Sequence, residues 1–432
     1  MQTVQDASVA RLTRDLVAAG FARPRGRPME PESLSSHPLW RRMRELGSQL
    51  WLDTGQIEAA GELWDRSFTA LTTNNTLLNK EVQTGIYDQL IRRAAGALHA
   101  AIKPPDEDRL VREIAFVLNA THAMRLVELF GADVSVELHT DFAQDIDATI
   151  RTARRYHAIC PEHFIIKVPL TPAGLVAAGR LGSEGIRVNL TLGFSARQNL
   201  LVGLIARPTQ CNVFLGRLNQ LAADHHLGTG KNVGERAVAA SQRIIARLRD
   251  SDRVPTRQIA ASLRSGTQIG ALAGVDVLTM PPKAAREFFD MADSADSAIE
   301  PGSLQAGIDG DFEPDWSQDA QPAAWGFDTL WNIPDGLEAC ARQLIAKGPG
   351  HLDGPAVQQA LSAAGFGGVL GNWSDEDVRR ARQDGKIPKL TAWRNRLETG
   401  DIGLDALMTL SGLESFATDQ KAMDDRIRGS LG

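Results

Sequence analysis

Cysteine is scarce: Cys160, Cys211 and Cys340 are odd in number, far apart and without a CxxC pair. That excludes a disulfide framework and a thiolate zinc site, and fits reduced thiols in a cytosol. No run of about 18 apolar residues occurs, so no segment can cross a bilayer as a helix. Met1 to Phe21 carries Asp6, Arg11, Arg14 and Asp15 and lacks the apolar core of a signal peptide. Positive charge is not in excess: 47 Lys and Arg against 53 Asp and Glu leave a net charge of −6, which offers no general footprint for nucleic acid or an anionic membrane. The expected compartment is the cytoplasm, and the expected partners include neither nucleic acid nor membrane. Lysine itself is rare, nine of the 47 cations. A lysine in an apolar setting therefore stands out.

What is present is an ordinary globular composition, 43% hydrophobic and 23% charged over 432 residues. That length suits two or three domains, and equally one (β/α) barrel of about 250 residues with additions. Between Gln49 and Met280 eight short β-prone runs alternate with longer helical patterns: SQLWLD, SFTALTTN, ADVSVEL, HFIIKVPL, IRVNLTLGF, QCNVFLGR, RQIAASLR and VDVLTMP. Such alternation implies a closed parallel barrel or a doubly wound sheet. No Gly-rich phosphate fingerprint follows the first run, which favours an eight-stranded (β/α) TIM barrel. Thr171-Pro172 opens one intervening helix and Gly185 closes it; 196–206 and 233–249 read likewise.

Residues 1–48 read as an N-terminal helical extension with an Arg/Pro-rich link from Arg23 to Pro31, and 49–290 as the barrel. Beyond it, 291–405 read as an acidic and then helical addition, and 406–432 as a helix packing back on the barrel. No Lys or Arg occurs between Arg286 and Arg342, while acidic residues crowd 290–319, a pattern for irregular chain. Helical patterns resume at 337–346, 374–383 with Ser374 as N-cap, and 412–427. There is no internal repeat. This addition is expected near a barrel mouth, where the favoured reading is an acidic decoration or an oligomer contact, and a lid is the alternative. Trp316, Trp325 and Trp331 are expected to pack it onto the barrel, with sugar stacking as a second use.

Polar residues collect where barrel chemistry gathers, at the carboxyl ends of the strands. Asp53 ends the first run, Thr73-Asn74 follows the second, Glu137 ends the third, Lys167 interrupts the fourth, and Asn189 and Thr191 share a face of the fifth. Asn212 and Phe214 share a face of the sixth with Arg217 just beyond, and Ser262 and Arg264 end the seventh. Desolvating an ammonium favours the neutral amine, so Lys167 within Phe164-Ile-Ile-Lys-Val168 is a candidate nucleophile; a buried ion pair with Glu137 explains such a lysine about as well when the strand is taken alone. Imine chemistry at a ketone needs an amine, a proton shuttle and a base for the hydroxyl whose carbon–carbon bond breaks. Lys167, Glu137 and Asp53 match those needs. Arg217 and Arg264 could grip a phosphate, with Ser262 adding a hydroxyl.

The strings LWLDTGQI, ALTTNNTLLNKE, IIKVP, VNLTLGFS, VFLGR and AASLR, in this order, resemble the transaldolase family, as does Gly412-Leu-Glu-Ser-Phe-Ala-Thr-Asp-Gln420. The resemblance implies transfer of a dihydroxyacetone unit between sugar phosphates in the pentose phosphate pathway, without metal or organic cofactor. Lys167 would form the imine, Glu137 and Thr191 would hold the water that relays protons, and Asp53 would deprotonate the C4 hydroxyl. Asn74 and Asn189 would bind the dihydroxyacetone unit, and Arg217, Arg264 and Ser262 the phosphate. It also implies sugar-phosphate partners and leaves room for a homodimer. Related fructose 6-phosphate aldolases carry Gln and Tyr where this chain has Glu137 and Phe214, so transfer is favoured over simple cleavage. Departures are Asn75 in place of a turn-setting Pro and Asn212 in place of a ketose-contacting serine. They keep open an aldolase or a transferase with another donor, and, in a different class, an inactive sugar-phosphate-binding or scaffolding protein.

Three weaker signals are set aside. Gly228-Thr-Gly-Lys-Asn232 lacks the Ser/Thr and first Gly of a P-loop and reads as a loop between the sixth strand and its helix. Gly365 to Gly371 has the wrong spacing for a dinucleotide fingerprint and reads as a turn. His139, His225 and His226 have no partners at metal spacing and read as surface or loop residues.

Overall fold

The eight runs become eight parallel strands, β1 Gln49–Asp53, β2 Phe68–Thr72, β3 Asp133–Glu137, β4 Phe164–Pro169, β5 Val188–Thr191, β6 Gln210–Phe214, β7 Arg257–Ala261 and β8 Val277–Met280. They close in chain order, with β1 pairing both β2 and β8, in a computed structural model that describes residues 2–20, 36–293, 304–308, 310, 312–346 and 352–431. A parallel strand covered on both faces is a continuous apolar run, and every residue of β4, β5, β6 and β8 is buried. Register then sets the site: Glu137 lies opposite Lys167 across β3 and β4, and Lys167 opposite Asn189 across β4 and β5.

Helix signals at the strand ends act as expected. Thr171 caps helix Pro172–Ser183 by accepting from the Gly174 N–H at 2.8 Å, and Pro172 occupies its first turn. Helix Gln2–Ala18 packs against helices Asp88–Ala101 and Glu107–Phe130, and Arg109 pairs with Asp6 across that contact. The long Glu107–Phe130 helix is buried nearly all round because it is sandwiched between the extension and the barrel. The Arg/Pro-rich link lies outside the described residues. Helix Pro38–Glu45 buries Leu39, Trp40 and Met43 beside β1.

The barrel's last helix, Pro282–Asp293, runs past the expected boundary at 290. The described part of the acidic stretch is irregular, yet it is laid on the barrel: Trp316 bridges to Gly228, Thr229 donates to Asp315, and Glu313 pairs with Arg236. Four helices follow, Leu337–Ala346, Gly354–Ala363, Asp375–Asp384 and Leu390–Glu398. Ser374 and Asp377 form a full capping box on the third. Gly367–Val369, inside the Gly-rich segment expected to be a turn, forms a short 3-10 helix. Helix Leu404–Gly429, the terminal helix, begins two residues before the expected boundary at 406.

Candidate active site

One cavity at the carboxyl ends of the strands is lined by Asp53, Asn74, Lys167, Asn189, Asn212, Phe214, Arg217, Ser262 and Arg264. All nine were singled out in the sequence. Glu137 and Thr191 stand behind the lining, buried on their strands. Lys167 Nζ donates to the Thr73 carbonyl at 3.0 Å and lies 4.0 Å from Glu137 Oε2. Burial holds Glu137 above the usual carboxylate range, against the opposing pull of Lys167, the Asn75 amide and Arg217. Glu137 Oε2 and Thr191 Oγ1 are buried with no hydrogen-bond partner among the described residues. Native interiors rarely leave such oxygens orphaned, so both are suited to a small polar guest.

Asp53 Oδ1 accepts from the Thr72 hydroxyl at 2.7 Å, and Thr72 in turn meets Thr279 at 2.7 Å. Two other residues have double duty. Asn74 caps helix Asn75–Gln83 by accepting from the Leu77 N–H at 2.8 Å. Asn212 donates to Asn189 Oδ1 at 3.1 Å and accepts from the Gly193 N–H at 3.3 Å, while Asn189 donates to Ser135 at 3.2 Å. Asn75 does not line the cavity; its side chain is buried, and its backbone N–H donates to the Glu137 carboxylate. A proline there would have no N–H to give. The group of Asn75 that touches the site is thus its backbone amide rather than its side chain.

The same cavity is lined by two cations, Arg217 and Arg264. Arg217 is buried between Phe214 and Phe416, its guanidinium 5.6 and 5.3 Å from the two ring centroids. Burial and neighbouring Arg264 lower it to about 10, and Nη1 is buried with no partner among the described residues. Gly216 permits this crowding, because a Cβ there would lie 2.1 Å from the Ser262 carbonyl oxygen and 2.9 Å from Arg264 Nε. Ser262 has φ of 66°, an uncommon conformation for a residue with a side chain and one that recurs at functional sites.

Among the lining residues not foreseen from the sequence, two come from outside the barrel. Phe416 comes from the terminal helix, within the stretch noted there for its resemblance. Lys386 comes from the loop between helices Asp375–Asp384 and Leu390–Glu398. The three tryptophans do not line the cavity: Trp316 packs on Phe327, Arg394 lies over Trp325, and Arg236 lies over Trp331. Packing is thus their use, and the sugar-stacking alternative is dropped. Gly228–Asn232 is a loop, but it joins helices Leu215–Asp224 and Val233–Asp252; the first of these follows β6 directly. His225 is a loop residue that hydrogen-bonds to the Pro388 carbonyl at 2.8 Å, whereas His139 is mostly enclosed against Asp424. No cluster of metal-ligating side chains occurs among the described residues, and no described helix is long and apolar enough to cross a membrane.

Comparison with known proteins gives one consistent result. The family described as Transaldolase/Fructose-6-phosphate aldolase matches residues 50–324. A protein named Transaldolase from Xanthomonas euvesicatoria pv. vesicatoria is 33% identical over 251 residues, covering 56% of this chain and 74% of its own length. A Probable transaldolase from Thermus thermophilus is 32% identical over 237 residues, covering 54% of this chain and 86% of its own length.

Proposed function

Because the chain belongs to the transaldolase/fructose-6-phosphate aldolase family, we propose that it moves a dihydroxyacetone unit from a ketose phosphate to an aldose phosphate through an imine on Lys167. Fructose 6-phosphate or sedoheptulose 7-phosphate is the donor, as in the pentose phosphate pathway. The amine of Lys167 adds to the donor carbonyl, and the carbinolamine loses water to give the imine. Glu137, with Thr191, handles the proton traffic of that step through a water. Asp53 takes the proton from the C4 hydroxyl as the C3–C4 bond breaks, and the aldose phosphate leaves. The enamine that remains attacks the incoming aldose phosphate, and hydrolysis frees the lysine. Asn74 and Asn189 hold the hydroxyls of the three-carbon unit, while Arg217, Arg264 and Ser262 hold the phosphate.

The observation that carries this reading is the register of Glu137 against Lys167, 4.0 Å apart, beside a cavity that Lys167 lines together with two guanidinium groups that have no ion pair among the described residues. A buried ion pair alone would explain the first contact and leave the arginines unexplained. The test is reduction with borohydride in the presence of fructose 6-phosphate, followed by peptide mass analysis. A stable adduct on the Lys167 peptide is expected, absent in Lys167→Met. Wild-type protein that forms no adduct with either phosphorylated ketose would refute the reading.

One observation favours a variant donor as the second reading: Asn212 is bonded to Asn189, so the donor pocket is closed by an amide where the family pattern has a serine. Release of a three-carbon ketone without any aldose acceptor would instead mark an aldolase.

A further inference from the structure

Lys386 stands outside the stretch that matches the family, residues 50–324, yet its side chain lines the same cavity as Arg217, Ser262 and Arg264. We propose that Lys386 is a third phosphate-binding cation, carried by the C-terminal addition and closing over the phosphate monoester held by Arg217 and Arg264. The assignment rests on the reading above and names what this addition contributes to substrate binding.

Charge is the first argument. Arg217, Arg264 and Lys386 have no ion pair within 4.0 Å among the described residues, whereas partly buried arginines elsewhere are paired with buried carboxylates, as Arg197 is with Asp405 and Arg396 with Asp377. Burial, then Arg264 and Arg217, lower Lys386 to about 8, with Lys80 adding to the repulsion and Asp419 opposing it. These cations face the carboxylates of Asp419, Asp53 and Glu137, yet none of the three cations pairs with a carboxylate within 4.0 Å among the described residues, an arrangement that added negative charge between the cations would improve. A phosphate monoester dianion supplies that charge, and the buried orphan Nη1 of Arg217 supplies a donor aimed at no protein atom.

Position is the second. Lys386 is exposed at the cavity rim, but the loop that carries it is tied down on both sides. Gly385 ends the preceding helix with φ of 83°. The Pro388 carbonyl meets His225 at 2.8 Å, and Asp384 accepts from both the Lys389 N–H at 3.0 Å and the Trp393 indole at 2.8 Å. Arg382 pairs with Glu414 of the terminal helix, two residues before Phe416. The addition thereby reaches the cavity mouth by the same helix that seats the Arg217 side chain.

The experiment measures binding of inorganic phosphate and fructose 6-phosphate by titration calorimetry to wild type, Lys386→Met and Lys386→Arg, with steady-state kinetics alongside. Lys386→Met should weaken both ligands about tenfold, as loss of one charge-assisted contact does. KM for the phosphorylated substrate should rise by a similar factor, with kcat changed less than KM and the unfolding midpoint unmoved. Lys386→Arg should restore most of the affinity. Equal phosphate affinity in wild type and Lys386→Met overturns the assignment, as does a loss in Lys386→Met that arginine fails to restore. Borohydride trapping of unphosphorylated dihydroxyacetone on wild-type Lys167 separates the two proposals. A wild type that traps the ketone and binds no phosphate refutes the clamp alone, and one that binds phosphate and traps nothing refutes the imine chemistry alone.

Discussion

Asp405 holds the terminal helix to the barrel, and replacing it should release that helix. Its carboxylate is fully buried; it accepts from Arg197 Nε at 2.8 Å, Arg197 Nη2 at 2.7 Å and the Ser195 hydroxyl at 2.6 Å. Asp405→Asn keeps the shape and removes the charge, leaving a nearly buried guanidinium facing a neutral amide. Breaking a buried pair from one side costs about 3–5 kcal/mol. With a urea slope of roughly 3–4 kcal/mol per M for a chain of this size, the unfolding midpoint should fall by about 1 M. The same helix donates from Thr409 to the Leu192 carbonyl at 2.9 Å, approaches Arg217 at Gly412, and carries Phe416 over the Arg217 guanidinium. The variant should therefore also raise KM for the phosphorylated substrate and open the terminal helix to limited proteolysis. Replacing both partners, Arg197→Met with Asp405→Leu, should recover much of the lost stability, because no charge is then left buried and alone. A midpoint for Asp405→Asn within about 0.2 M of wild type, where the pair would be worth under 1 kcal/mol, would refute the reasoning.

Asp405 also shows where sequence reading runs out. Read along the chain, it is the last member of an acidic addition and marks a boundary; in the fold it is the second residue of helix Leu404–Gly429 and the most deeply buried acid of that helix. Its meaning depends on Arg197, 208 residues earlier. The strands were legible because a parallel strand buried on both faces must be apolar throughout, so the polar residues that interrupt the runs, Glu137, Lys167, Asn189 and Asn212, announce themselves. Lys386 had no such signal. It sits in Gly-Lys-Ile-Pro, which reads as an ordinary exposed turn, and only the His225 and Glu414 contacts bring it to the cavity. The rarity of lysine could have flagged it, but rarity says nothing of which of nine is near a site. The Asn75 amide was hidden for a different reason: its contribution is a backbone N–H, and the sequence records it only as the absence of proline.

Two further outcomes concern pH. With Lys386 near 8 and faced by Arg217, Arg264, Lys80 and Asp419, KM for a phosphorylated substrate should rise as pH climbs through about 8 and the ammonium is lost; the profile should be flat over that range in Lys386→Met, and parallel wild-type and mutant profiles would exclude Lys386 as the group responsible. The second concerns stability. His122 is fully buried, within 2.7 Å of the Tyr87 hydroxyl, and burial followed by the Arg125 charge depresses it from 6.5 to about 4. An unfolded chain protonates this imidazole below pH 6.5 and the folded chain does so only near 4, so between those values the unfolded state binds the extra proton and acid favours unfolding. That depression corresponds to about 3 kcal/mol of stability, fully present above pH 6.5 and lost progressively down to pH 4, with no further change below it. His122→Gln cannot titrate, so its urea midpoint should depend less on pH across that window than the wild-type midpoint does. Equal slopes in the two proteins would mean that His122 is protonated in the folded state, and that the Tyr87–His122 contact behind Gly55 is not held by a neutral ring.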